Sequence, residues 1–179
     1  TITTQTNSGK QRRVGQGVSY YSWKAKYAPM TPRDAGPVLG FIRYAEGPLY
    51  SFEIILPEVS YTTAINPAGN VRLRSNIAVG SVTANITTNS ANSEVIRAGD
   101  FFKFNNHSKV YQAVINCNSG SDGNATLYFA SPTVSNVTVN TQLTTTAVPF
   151  TAILDTQEQD FNISYGGITT LEVSMREVW

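Results

Sequence analysis

Residues 20–52 read YYSWKAKYAPMTPRDAGPVLGFIRYAEGPLYSF, and they constrain the fold more than any other stretch because they alone carry signals for both strand and helix. From Ser19 the odd positions run Ser19, Tyr21, Trp23, Ala25 and Tyr27, with Ser22, Lys24 and Lys26 between them. That period of two predicts a half-buried strand with Tyr21, Trp23 and Tyr27 inward. Ala28 and Pro29 end it, since proline has no amide for the sheet ladder and holds the preceding residue extended. A helix start follows: Thr31 suits the N-cap, Pro32 the first helical position, and Asp34 the exposed amides of the first turn. Val38, Ile42 and Ala45 repeat at helical spacing beside Leu39 and Phe41, and Gly47 with Pro48 forms a stop. Pro37 removes one internal hydrogen bond, so a kink there, or a start that slips to it, is expected. Residues 49–56, LYSFEIIL, then read as a second strand closed by Pro57.

Beyond Pro57 the helix signals vanish, and short β-patterns alternate with turn residues. Residues 66–70, NPAGN, mark a boundary, 71–86 hold one or two weak strands, and 87–93 form a polar loop. Residues 101–104 and 109–116 flank NNHS as a hairpin. The turn NSGSDGN leads into the strand ATLYFA, and further strands are expected at 137–139, 150–154, 161–165 and 171–178, with Gly166 and Gly167 as a turn. Strands at this spacing predict a mainly β fold. The expected form is a small β-barrel or sandwich with one short helix packed on it, followed by a second β-rich part.

Charge decides against several functions. Charged residues are 14% of the 179, against about 25% in an average soluble chain, while hydrophobic residues reach 41%. Such a chain is too apolar to be disordered. Thirteen Lys and Arg against twelve Asp and Glu leave a net charge of +1, which gives no global attraction for nucleic acid or an anionic membrane. Cys117 is the single cysteine, so neither a disulfide framework nor a cysteine metal cluster is expected. The stretch TITTQTNSGKQRR lacks the apolar core of a signal peptide, and no run approaches the roughly 20 apolar residues of a membrane span. Asn85, Asn106, Asn124, Asn136 and Asn162 each head an N-x-[ST] triplet, a weak signal in a chain this rich in Asn, Ser and Thr.

Catalysis needs convergent titratable groups, and few are present. His107, the only histidine, falls in the turn NNHS, where a structural or exposed role outweighs a catalytic or metal one. Without a second histidine or a nearby carboxylate pair, a transition-metal site has no ligand set, and no G-x-S-x-G elbow occurs. Asp155, Glu158 and Asp160 cluster in DTQEQD, but the spacing fails the EF-hand pattern, which favours a solvated loop over a calcium site. Asp122 and Asn124 in DGN read as turn formers. Glu53 and Glu58 join the DTQEQD acids as the only carboxylates a glycoside hydrolase could use, and no spacing singles out a pair. Phosphate-cradling glycine motifs are absent. Lys10, Arg12 and Arg13 can contact phosphate or an acidic neighbour, or form a solvated tail, with subunit contact ahead of nucleic acid. Tyr20, Tyr21, Trp23 and Tyr27 can stack on bases or sugars, but no basic stripe accompanies them, so core packing is preferred. No catalytic, cofactor-binding or metal-ligating residue is assigned, and the chain is not expected to be an enzyme. What remains is assembly.

Strand, P-M-T, helix and strand, carried by 23–27 (WKAKY), 29–31 (PMT), Asp34 with Ala35, Phe41 with Ile42, and 47–52 (GPLYSF), resemble the first half of distal tail proteins of tailed bacteriophages. Residues 97–112 (RAGDFFKFNNHSKVYQ) and 148–161 (VPFTAILDTQEQDF) are similar to segments of virion structural proteins of the same broad group. The resemblance implies a baseplate or tail-tip hub protein that forms a ring with itself, commonly a hexamer, around the tail tube and beside other baseplate proteins. It implies a virion protein made in the host cytoplasm, with no membrane and no sequence-specific nucleic acid as partner, and with Trp23, Tyr27, Phe41, Ile42 and Phe52 in the core. Pro37 and Gly40 depart from the family pattern. The expected organisation is a flexible N-terminal arm over 1–17, a strand–helix–strand part of a hub-like β-barrel over 18–65, a β-rich inserted or second domain over 66–147, and strands completing the barrel over 148–179. Two alternatives stand: a β-sandwich carbohydrate-binding module, or another virion protein such as a tail tube or head-to-tail connector.

Overall fold

The computed structural model describes residues 2–5, 11–14, 17, 19–65, 67–156, 161–163 and 169–179. The fold is mainly β with one short helix, in the expected class. Within the stretch expected to be a flexible arm, β1 (Ile2–Gln5) and β2 (Gln11–Val14) pair antiparallel into a ribbon, from Ile2 opposite Val14 to Gln5 opposite Gln11. That ribbon joins no other sheet among the described residues.

The strand and helix of the 20–52 block form as β3 (Ser22–Lys26) and α1 (Pro32–Ala45). Thr31 is extended at φ −69° and ψ 158°, and both its backbone and side-chain oxygens accept from the Asp34 amide at 3.0 and 3.4 Å. Its hydroxyl donates to the Asp34 carboxylate at 2.7 Å, so cap and first turn hold each other; such a cap contributes about 1 kcal/mol. The start does not slip to Pro37, which lies inside the helix. Only the bond its amide would make to the Arg33 carbonyl is lost. At the other end Glu46 turns left-handed at φ 47° and Gly47 follows at φ 64°, a geometry glycine adopts without strain. Ala35, Ile42 and Ala45 form the buried face.

That face packs on a five-stranded sheet made by both ends of the sequence. The sheet comprises β3, β4 (Phe52–Ile54), β13 (Phe150–Leu154), β14 (Phe161–Ile163) and β15 (Thr169–Glu177), with β15 between β3 and β13, and β4 on the far side of β13. Leu171, Val173 and Met175 alternate inward along β15 against Ile42 and Ala45. Each fully buried side chain of that size contributes about 1.5–3 kcal/mol. Two residues expected in this core lie at its edge instead: Tyr27 is 36% and Phe41 40% exposed. Tyr27 follows the last residue of β3, and Phe41 sits one helical step off the stripe led by Ile42. Trp23 and Phe52 are half-buried, and Ile42 is buried.

Between β4 and β13 the chain builds a second body from β5 (Arg72–Leu73), β6 (Thr83–Thr87), β7 (Glu94–Ile96), β8 (Phe101–Phe104), β9 (Val110–Ala113), β10 (Cys117–Asn118), β11 (Asn124–Ala130) and β12 (Leu143–Thr144). Six strands run in the order β12–β8–β9–β11–β6–β5. The two ends meet: the Leu73 amide donates to the Thr141 carbonyl and the Leu143 amide to the Val71 carbonyl, both at 2.9 Å. The sheet therefore nearly closes into a barrel. The barrel-like closure lies in this middle segment, while among the described residues the sheet of β3, β4, β13, β14 and β15 stays open, with one face covered by α1. β7 and β10 pair as a separate two-stranded unit. Phe102, Phe104, Tyr111 and Phe129 fill the barrel, with ring centroids 5.3–5.9 Å apart.

Period two lets β8 and β9 serve two cores. Phe102 and Phe104 point into the barrel, while Phe101 meets Tyr21 at 5.1 Å and Phe150 at 5.4 Å on the helix-bearing sheet. Val110 joins Val148 and Phe150 in the same seam. There Lys109 and Glu177, both without solvent access, form an ion pair. Glu177 also accepts from the Val110 amide at 2.8 Å and the Tyr21 amide at 3.3 Å. The Lys109 ammonium lies 4.8 Å from the centre of the Tyr21 ring and 4.5 Å from that of Trp179. Burial holds this ammonium below the usual lysine range, and the Glu177 carboxylate opposes that shift.

Candidate functional site

The reversal after α1 creates an exposed aromatic face. Because Glu46 and Gly47 turn the chain sharply, the Tyr50 amide donates back to the Ala45 carbonyl at 3.2 Å. Tyr50 is thereby brought against Tyr44 of the last helical turn, with rings stacked at 6.1 Å and 17°. Tyr44 is 77% exposed, and Leu49 beside it is exposed as well. On the adjoining flank Phe41 meets Phe52 edge-on at 4.9 Å.

Beneath this flank lies a cavity of about 160 Å³ between helix and sheet, lined by apolar side chains of β3, α1, β4 and β15 together with Tyr27 and Glu53. A space of that size admits roughly one benzene-sized group. Glu53 is the one acidic residue in the lining, but on β4 it alternates with the inward Phe52 and Ile54 and is itself exposed, and it makes no ion pair among the described residues. Residues 44–71 contain Glu46, Glu53 and Glu58 and no Lys or Arg, whereas α1 carries Arg33 and Arg43 and β3 carries Lys24 and Lys26. An exposed aromatic surface beside an apolar socket is suited to docking a partner.

The titratable residues weighed from sequence are dispersed. The ring of His107 spans Asn106 Oδ1 at 2.7 Å from Nδ1 and the Tyr111 hydroxyl at 2.8 Å from Nε2, with the Val134 amide donating to that hydroxyl at 3.1 Å. This pattern suits a neutral ring protonated on Nδ1. Cys117 is buried, its thiol pushed up to about 11 by burial. A thiol so shifted is a poor nucleophile. Asp122 accepts from the Asn124 amide at 3.0 Å as a turn former. Asp155 faces Arg176 at 3.6 Å, whereas Glu158 and Asp160 lie outside the described residues. Glu58 is in a tight turn at φ 65°. Among the described residues no group of three or more His, Cys, Asp or Glu could hold a metal, and no helix is long and apolar enough to cross a membrane.

Of the basic cluster, Arg12 and Arg13 fall on β2, and Lys10 lies outside the described residues. Tyr21 and Trp23 pack in the seam, the latter 5.4 Å from Phe150, while Tyr20 is exposed. The Trp23 indole N–H is buried and finds no acceptor among the described residues. Of the N-x-[ST] asparagines, Asn85, Asn106, Asn124 and Asn136 each make hydrogen bonds through the side chain. Asn162 lies on β14.

The seam pair escaped the sequence reading, although β15 carries a signal for it. The inward run Leu171, Val173, Met175 continues at the same period to Glu177, an acid at a core position. Nothing in sequence names its partner, 68 residues earlier. Comparison with protein-family models finds none that matches this chain, and comparison with curated proteins returns no match.

Proposed function

We propose that this chain is a non-enzymatic structural component of a bacteriophage tail, assembling with itself into a ring in the baseplate or tail-tip hub around the tail tube. It is made in the host cytoplasm and carried in the virion. The observation that carries the assembly step is the stacked Tyr44–Tyr50 pair, exposed beside the cavity under α1. Aromatics in such a position are the residues that anchor protein interfaces. The tail assignment itself rests on the resemblance of the 20–52 block. Ring subunits use heterologous contacts, which need two different complementary patches on one chain. Free sheet edges add to these, since β3 and β4 each pair on one side only among the described residues.

Negative-stain microscopy and light scattering on the purified chain test this reading. Closed rings of uniform copy number are expected; a monomer at every concentration examined overturns it. A carbohydrate-binding module is the second reading, favoured by the same exposed tyrosine rings. It requires a monomer that binds glycans and loses binding on Tyr44→Ala.

A further inference from the structure

The helix-bearing sheet has two edges that pair with nothing among the described residues, and backbone alternation decides what each edge presents. At β3 the Tyr27 amide donates to the Leu171 carbonyl at 2.9 Å, and the Glu177 amide to the Tyr21 carbonyl at 2.7 Å. Main-chain groups of successive strand residues point to opposite sides. The odd positions of this strand therefore face β15, and Ser22, Lys24 and Lys26 turn their amides and carbonyls outward. At the other edge the Val178 amide donates to the Thr151 carbonyl at 2.9 Å, so Thr151 faces β15. Phe150 and Ala152 are left to bond Ile54 and Phe52, and Glu53, opposite Thr151, presents its amide and carbonyl outward.

The side chains follow the same alternation. Lys24, Lys26 and Glu53 are exposed on the sheet face away from α1, while Trp23, Ala25, Phe52 and Ile54 pack toward it. Lys26 and Glu53 make no ion pair among the described residues. When two free edges join antiparallel, residues with outward main-chain groups stand opposite each other and share a face. A β4 edge against a second β4 edge thus sets Glu53 against Glu53, and β3 against β3 at full overlap sets Lys24 against Lys24. Like charges directly opposite destabilise a sheet, and unlike charges stabilise it. Joining β3 to β4 sets acid against base and also places Phe52 and Ile54 beside Ala25 and Trp23. Direction agrees: β4, β13, β15 and β3 are antiparallel in turn, so β3 runs opposite to β4, and a further copy in the same orientation meets it antiparallel.

We propose that the outer edge of β3 in one copy pairs antiparallel with the outer edge of β4 in the next, with Glu53 opposite Lys24 and Lys26 on the diagonal. Residues 51–55 then lie along the whole of β3, and the sheet runs on from copy to copy. The contact is heterologous, as a ring requires. This rests on the assembly reading above, and it assigns the partner, register and direction of the two edges that reading leaves open.

Cysteine pairs test it. In a Cys117→Ala background, a chain carrying both Lys24→Cys and Glu53→Cys is expected to give a ladder of disulfide-linked oligomers under mild oxidation. Such links arise only between copies, because within one chain the two strands lie three spacings apart, about 14 Å, and a disulfide does not form when the Cα atoms lie beyond about 7 Å. Ala25→Cys in place of Lys24→Cys is expected to reduce the yield at least about tenfold, because that side chain lies on the other face. Glu53→Pro removes the outward amide and no hydrogen bond within the sheet. It is expected to raise the concentration needed for assembly at least about tenfold, with circular dichroism unchanged. Linked dimers from either single cysteine variant, without a ladder from the double one, overturn the proposal in favour of a two-fold contact. Rings whose doubly substituted chains stay unlinked overturn it and leave the ring reading standing. Linked open filaments uphold the pairing and overturn the ring. Wild-type chain that stays monomeric overturns both.

Discussion

Lys109 and Glu177 meet in the seam between the barrel and the helix-bearing sheet, and neither has access to solvent. Removing one partner strands the other charge in a dry site, which costs about 3–5 kcal/mol. Lys109→Met and Glu177→Gln are each expected to lower stability by that order in urea unfolding. The double variant is expected to lose clearly less than the sum, because no lone charge is left behind. Two single losses that simply add to within about 0.5 kcal/mol mean that the residues do not act as a pair.

His107 reports on the barrel wall, and being the only histidine it gives one unobscured imidazole signal. Burial, then the charges of Lys103 and Lys109, hold it below 6.5. Asn106, Tyr111 and Ser135 are its polar neighbours. The unfolded chain then takes up the proton more readily than the folded one. Stability is therefore full above pH 6.5 and declines as pH falls through the folded value. An NMR titration midpoint at or above 6.5 contradicts this, and His107→Gln is expected to flatten the decline.

Asp100 anchors the connector between the two bodies. Its carboxylate accepts from the Thr62 hydroxyl at 2.7 Å, the Thr63 amide and hydroxyl at 3.0 and 2.8 Å, and the Arg97 amide at 3.1 Å. Burial raises its pKa, but these hydrogen bonds outweigh that and leave it below the usual aspartate value of 3.8. The stabilisation is present above that value and is lost as pH falls through the folded one. Asp100→Asn is expected to cost about 1–3 kcal/mol at neutral pH and to loosen residues 60–65 to protease. An unchanged cleavage pattern counts against the anchoring role.

Gly123 is fixed by its surroundings. Its φ is +75°, and an added Cβ would lie 2.5 Å from the Thr88 carbonyl oxygen. Gly123→Ala is expected to cost about 2 kcal/mol or more. Gly69→Ala, where a Cβ meets nothing within 4 Å, is expected to stay within about 0.5 kcal/mol of wild type. Equal melting temperatures for the two variants refute the assignment.

Local chemistry made part of this fold legible. Thr31, Pro32 and Gly47 mark the helix ends because capping and left-handed turns depend on neighbours within a few residues. Phe101 to Phe104 and Val110 to Ala113 were recognisable as a hairpin for the same reason. Tyr27 was placed inside on periodicity, which fixes a side but not where a buried stripe ends, and Phe41 on the family resemblance. Barrel closure depends on hydrogen bonds between 71–73 and 140–143, and no local pattern records them. The aromatic face was hidden because Tyr44 and Tyr50 become neighbours only once the turn at Glu46 forms.

Ile54 and Phe150 are direct partners across β4 and β13, so the barrel leaves and returns through adjacent strands of one sheet. Two supports about 4.8 Å apart define an axis, and a body held only there is free to swing like a door. Lys109 reaches Glu177 from the β8–β9 turn, and with Phe101 against Tyr21 and Val110 against Val148 it adds footing beyond the two stems. The seam, ion pair and apolar contacts together, is therefore what keeps the barrel from swinging on its two stems.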